Sequence, residues 1–354
     1  MVVSVKCIIE NADLSQSRSY YHNHLAAIHG QDIMSSVQLK AEVDNAPDFA
    51  EDVVDILNSV LAAKTTPIEA AKAIDSLCTE DLDPLPFLGI FWELFHPLAR
   101  QIPYDSQDQD RLAAVVQALD NLPPRIVTFK AGWGESADRI GPLWEDLRST
   151  VTSHFYDTFG DSDLPATTDE RRKQRKLNLN TFAARLTSLL HLPTEMYFLW
   201  AMVDGLEGTM TFVWGAPDVI NEDPAAVDEY DIKVAAAWMI HAAHVFHGRD
   251  EEVRGGGGGP LWKLPKKEGL KLRRRYKGTD GLCPLRWRLW KDRLAVFRDS
   301  EALDAGIRKE AGDAYDAMER AEMMAKREDE ATEEDESQWA PSRAFSGRCA
   351  GGPL

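Results

Sequence analysis

Apolar residues recur at intervals of three and four along most of the chain, a period that predicts helices. Phe49, Val53, Val54, Ile56, Leu57, Val60 and Leu61 follow Pro47 at this spacing. Thr66-Pro67-Ile68-Glu69 is a helix start, with Thr66 as cap, Pro67 in the first turn and Glu69 at the capping-box position. Leu85 to Ile102 continues the pattern through Phe87, Ile90, Phe91, Leu94 and Leu98, and Pro97 predicts a kink or a break there. Ser106 to Leu122 forms a fourth helix that ends at Pro123-Pro124, and residues 134–158 read as helical pieces.

Further along, Thr168 is placed to cap a charged run, Asp169 to Lys176. Asn180 to His191 and Thr194 to Leu206 form a helical hairpin broken at Pro193, and Pro224 opens a long helix ending at Gly248. Gly255 to Gly259 reads as a flexible connection. Runs with the two-residue period of strands are scarce. The pattern therefore predicts an all-α fold, with helix pairs around a single core. Three regions are expected: a poorly ordered N-terminal arm over 1–45, a helical domain over 46–300, and a charged helix with a disordered acidic tail over 301–354. Within the domain, a flexible Gly-rich and basic insert is expected at about 254–281.

Several segments together resemble a fungal family of unknown function. Asn178 to Leu186 (NLNTFAARL) is similar to its NLNAFAARL element, Gly205-Leu206-Glu207 to its ALE, and Ala235 to Trp238 to its AAxW helix. Gly259 to Lys263 resembles its GPLWKG, and Arg286 to Leu294 its closing RWxxWxxRF. The resemblance covers roughly residues 46–300 and implies a fungal, intracellular, helical protein with no reaction attached. Leu264 to Lys277 departs from the family pattern and reads as an insertion.

Charge changes this picture locally. The chain of 354 residues carries a formal net charge of −18, which disfavours whole-surface attraction to nucleic acid or an anionic membrane. Against that background the insert is dense in Lys266, Lys267, Lys271, Arg273, Arg274, Arg275 and Lys277, a candidate nuclear import signal or basic patch. The alternative is a solvated loop paired with the chain's own acidic tail.

Four cysteines, Cys7, Cys78, Cys283 and Cys349, form no CxxC pair and read as free thiols of a reducing compartment. The N-terminal apolar run is too short for a signal peptide, and no membrane span is expected. The expected location is intracellular, cytoplasmic or nuclear.

Candidate chemistry is sparse. His241, His244 and His247 are spaced by three, so neighbours share a helix face, but the three fan over about 120°, wide for one ion. His241 and His244 are weak metal candidates beside the plainer reading of a half-exposed helix end. The glycine run lacks the Lys-Ser/Thr of a phosphate loop. Asp81/Asp83 and Asp161/Asp163 read as loop carboxylates. Trp287, Trp290, Leu294 and Phe297 share one helix face, so core packing is expected, with Arg stems over the rings. Trp238, Trp262, Trp287 and Trp290 are the expected structural anchors.

No cofactor is expected, no catalytic residue stands out, and a protein partner is. The reading is a non-enzymatic interaction or regulatory module. The alternative is an enzyme or small-ligand binder with a pocket between helices lined by Trp and His, its polar candidates His241, His244 and Asn180.

Overall fold

The computed structural model describes residues 37–41, 47–80, 82–131, 137–159, 168–215, 218–263 and 266–339. The expected N-terminal arm, apart from 37–41, and the tail beyond 339 lie outside these residues, as does the Asp161/Asp163 pair.

The first four helices follow the apolar pattern closely: α1 (Phe49–Leu61), α2 (Pro67–Leu77), α3 (Pro84–Ala99) and α4 (Asp108–Asp120). The capping box forms at α2, where the Thr66 hydroxyl accepts from Glu69 N and Glu69 Oε2 accepts from Thr66 N. Pro97 lies inside α3 without breaking it. It forfeits the bond its missing N–H would make to Glu93 O, but only Leu98 and Ala99 of the helix lie beyond it.

A short antiparallel pair follows, β1 (Ile126–Phe129) with β2 (Arg139–Pro142). It covers a small cluster of Cys78, Phe87, Leu88, Phe129 and Leu143 beside the main core. Next come α5 (Leu147–Phe159) and α6 (Asp169–Leu190). Thr168 caps α6 as expected, its hydroxyl accepting from Arg171 N. The two helical stretches expected around Lys176 and Asn180 form one continuous helix.

His191 closes α6 in the left-handed conformation (φ 52°), and α7 (Glu195–Leu206) returns. A second hairpin, β3 (Thr209–Thr211) with β4 (Val219–Asn221), leads through a 3-10 turn at Pro224–Ala226 to α8 (Glu229–Phe246). Asp228, rather than Pro224, starts that helix by accepting from Tyr230 N.

Helix α8 is the hub, packed by α6, α7 and the last helix. It is apolar nearly all round, and its Ala235-Ala236-Ala237 row is buried, so neighbours approach closely. Gly205 of α7 uses that space: a Cβ there would lie 2.5 Å from Asp231 O.

The C-terminal part comprises β5 (Glu251–Glu252), α9 (Lys266–Arg275), β6 (Gly281–Leu282), α10 (Pro284–Asp299) and α11 (Ala305–Trp339), with β5 pairing β6. The basic segment expected within a flexible insert is helical, as α9. The core also continues past the boundary expected at residue 300. Ile307, Ala311, Ala314, Met318 and Ala321 of α11 are buried in the main cluster, and Tyr104 donates to Glu310 at 2.7 Å. Helix α11 packs against α8 and α10. The acidic stretch from Glu328 to Glu336 lies on the same helix.

Among the described residues, no helix is long and apolar enough to cross a membrane.

Candidate functional site

Three of the motif-like segments, far apart in sequence, meet at Glu207. This residue ends α7, and its side chain is 0% exposed, as is that of Arg286 on α10. Arg286 grips the carboxylate with Nε on Oε1 at 2.6 Å and Nη2 on Oε2 at 3.1 Å. Trp290 Nε1 donates to Oε1 at 2.8 Å, and Gly259 N to Oε2 at 2.5 Å. The carboxylate thus accepts four bonds. Arg286 Nη1 also donates to Gly256 O and Gly281 O, at 2.9 and 2.8 Å. The rings of Trp262 and Trp290 lie 5.6 and 5.4 Å from its guanidinium carbon.

Three glycines of the run, Gly256, Gly258 and Gly259, are fitted closely into this site, while Gly255 and Gly257 face open space. A Cβ at Gly256 would lie 2.8 Å from Asp280 O, at Gly258 2.2 Å from the Trp262 ring, and at Gly259 2.7 Å from Glu207 Cβ. Trp262 is held by its Nε1, which donates to Thr279 O at 2.8 Å. Beside the run lies a cleft of about 450 Å³ lined by residues 252–257 and Asp280.

About two turns beyond Arg286 along α10, Arg293 Nε donates to Leu206 O at 3.2 Å and Nη1 to Glu222 O at 2.9 Å. These carbonyls flank the β3–β4 hairpin, so one guanidinium clamps both ends of it. Within the hairpin Met210 faces Ile220 and Thr211 faces Val219. Beyond the strands, Phe212 is 72% exposed and Trp214 is 90% exposed. Their rings meet edge to face, with centroids 6.3 Å apart. Met210, Val219 and Ile220 are exposed as well. The hairpin is an apolar finger on a polar, sealed base.

The other expected site residues are placed as follows. Trp287, Trp290, Leu294 and Phe297 are buried on one face of α10, as their spacing requires. Trp238 is buried and donates to Asn180 Oδ1 at 3.0 Å, while Asn180 Nδ2 donates to Lys176 O. Asn178 joins Tyr104 N and Arg100 O, and Arg185 pairs with Asp110. The NLNTFAARL segment is thereby bonded to the N-terminal helices.

His241 and His244 are half-buried against α6. Burial, aided by the charge of Arg185, pushes the His241 imidazole down to about 3. Burial also lowers His244, with His191 adding to the effect. His247 lies against the Trp287 ring. Among the described residues no three of His, Cys, Asp and Glu gather as a metal site would require. Asp83 caps α3 by accepting from Leu85 N, and Asp81 lies outside the described residues. Cys78 and Cys283 are buried free thiols, both pushed up by burial. The basic side chains of α9 from Lys267 onward are exposed apart from the apolar Leu272 side, with Arg273 paired to Asp280.

The sequence reading missed the finger, and the signal was present. Met210, Phe212 and Trp214 alternate with Thr209, Thr211 and Val213 between Gly208 and Gly215, a two-residue period bounded by glycines.

Residues 92–294 match the model of a family described as a protein of unknown function, DUF3632, and the chain belongs to that family. No curated protein and no solved structure matches it. The matched stretch contains Glu207, the glycine run, Arg286 and Arg293, and therefore both the sealed base and the finger.

Proposed function

We propose that the protein is an intracellular, non-enzymatic interaction or regulatory module whose contact element is the β3–β4 finger. The observation behind this reading is the exposure of Phe212 and Trp214 at 72% and 90% on a base held by the buried hydrogen bonds of Glu207, Arg286 and Arg293. Together they present on the order of 300 Å² of aromatic surface to water. At about 25 cal/mol per Å², that is roughly 7 kcal/mol of burial the monomer leaves unused. Aromatic residues are favoured at interface centres, and apolar patches of this kind mark contact sites.

The test compares tagged wild type with the Phe212→Ser/Trp214→Ser variant in affinity purification from native cells, quantified by mass spectrometry. A partner retained by the wild type and at least ten-fold depleted from the variant is expected. An identical set from both proteins contradicts the reading.

The exposed basic face of α9 supports a second proposal, nuclear import. Replacing Arg273, Arg274 and Arg275 with Ala is then expected to move a tagged protein out of the nucleus. A wild type already excluded from nuclei ends the idea.

A further inference from the structure

The finger is apolar at its centre and acidic at its edge. Asp218, Glu222 and Asp223 are exposed along its returning side. A surface of this kind repels anionic lipid and nucleic acid and accepts an apolar group carried among positive charges. The chain itself supplies such a group. Helix α9, KKEGLKLRRR, carries six basic residues among ten. Its Leu270 is 51% exposed. Lys271, Arg274 and Arg275 follow Leu270 by one, four and five residues, which places them within an arc of about 140° on one side of it. Within one molecule the two surfaces do not cover each other, since Trp214 and Leu270 are both open to water.

We propose that the finger of one molecule docks on α9 of a second copy, with Phe212 and Trp214 against Leu270 and the carboxylates of the finger facing Lys271, Arg274 and Arg275. This rests on the reading of the finger as a contact element and names its partner as the same chain. The contact joins two different surfaces, so a pair either closes as a two-fold dimer, each finger on the other's helix, or keeps one finger and one helix free, and association then continues into a ring or an open chain.

Sedimentation velocity on the full-length protein tests it. At low ionic strength the mean mass is expected to rise with concentration from the monomer to a dimer or beyond, and to fall back as salt screens the charges. Phe212→Ser/Trp214→Ser and Lys271→Glu/Arg274→Glu/Arg275→Glu are each expected to sediment as monomers, with circular dichroism melts matching the wild type because all these side chains are exposed. An equimolar mixture of the two variants retains one intact finger and one intact helix, so it is expected to form a heterodimer that grows no further.

A wild type that is monomeric throughout, variants that associate like the wild type, or a mixture that stays monomeric each overturns the proposal. If the wild type is monomeric while partner capture still depends on Phe212 and Trp214, self-docking falls and the interaction reading stands. If capture is also indifferent to them, both fall.

Discussion

Glu207 and Arg286 are joined across 79 residues of sequence with neither side chain reaching solvent. Removing one partner of such a pair strands the other as a buried charge, which costs about 3–5 kcal/mol. Arg286→Met is therefore expected to lower the melting temperature by roughly 5 °C. Replacing both residues by Met removes both charges at once. The double variant should lose less than the sum of the single losses in a denaturant-unfolding cycle. Additive losses would show that the two charges do not depend on each other. The pairing was not legible in sequence, because helical spacing reports neighbours within a turn or two and says nothing about contacts 79 positions away. Arg286 stands at the edge of the aromatic face by spacing, and its place over the Trp290 ring matches the expected stacking. Its burial comes from the glycine run and Glu207, which helical periodicity does not bring together.

At the scale of elements, the helices were the legible part. Capping at Thr66 and Thr168, and the Trp287–Phe297 stripe, are local patterns with local causes. The strands have two to four residues each, so most leave no two-residue period in the sequence; the exception is the alternation over residues 209–214 at β3. The glycine run was hardest to interpret, since small residues serve a flexible linker and a tightly fitted loop equally well. Gly205 carries the clearest element-scale prediction. It sets the approach of α7 to α8, where a Cβ would meet Asp231 O at 2.5 Å and Ala235 Cβ at 2.8 Å. Gly205→Val must push these helices apart, at a cost of about 1–3 kcal/mol or more for overpacking. Denaturant unfolding that leaves the midpoint unchanged would mean that the helices are not locked at this distance.

At the scale of the whole molecule, the net charge of −18 describes the surface, while the pH response is set inside. His96 is fully buried, stacked on Phe155 with ring centroids 4.1 Å apart, and burial pushes its imidazole down to about 3, with His154 adding to the effect. Above the unfolded value near 6.5, His96 is neutral in both states and stability does not depend on it. As pH falls from about 6.5 towards 3, the unfolded chain takes up a proton that the folded chain refuses, so stability drops by up to about 1.4 kcal/mol per pH unit for such a histidine. His241 acts in the same direction. The carboxyls of Asp204 and Asp231, raised by burial, act in the opposite one. His96→Phe is therefore expected to flatten the melting-temperature profile between pH 6.5 and 4 relative to wild type, and a parallel profile would contradict this.

The central claim is a division of labour: residues of the sealed base hold the fold, and the finger's aromatics are kept for a partner. The most direct test is the thermal melt of Phe212→Ser/Trp214→Ser beside that of Arg286→Met. The account predicts a finger variant within about 2 °C of the wild type, since exposed positions contribute little to stability. A loss as large as that of Arg286→Met would place the aromatics in the folded core and contradict it.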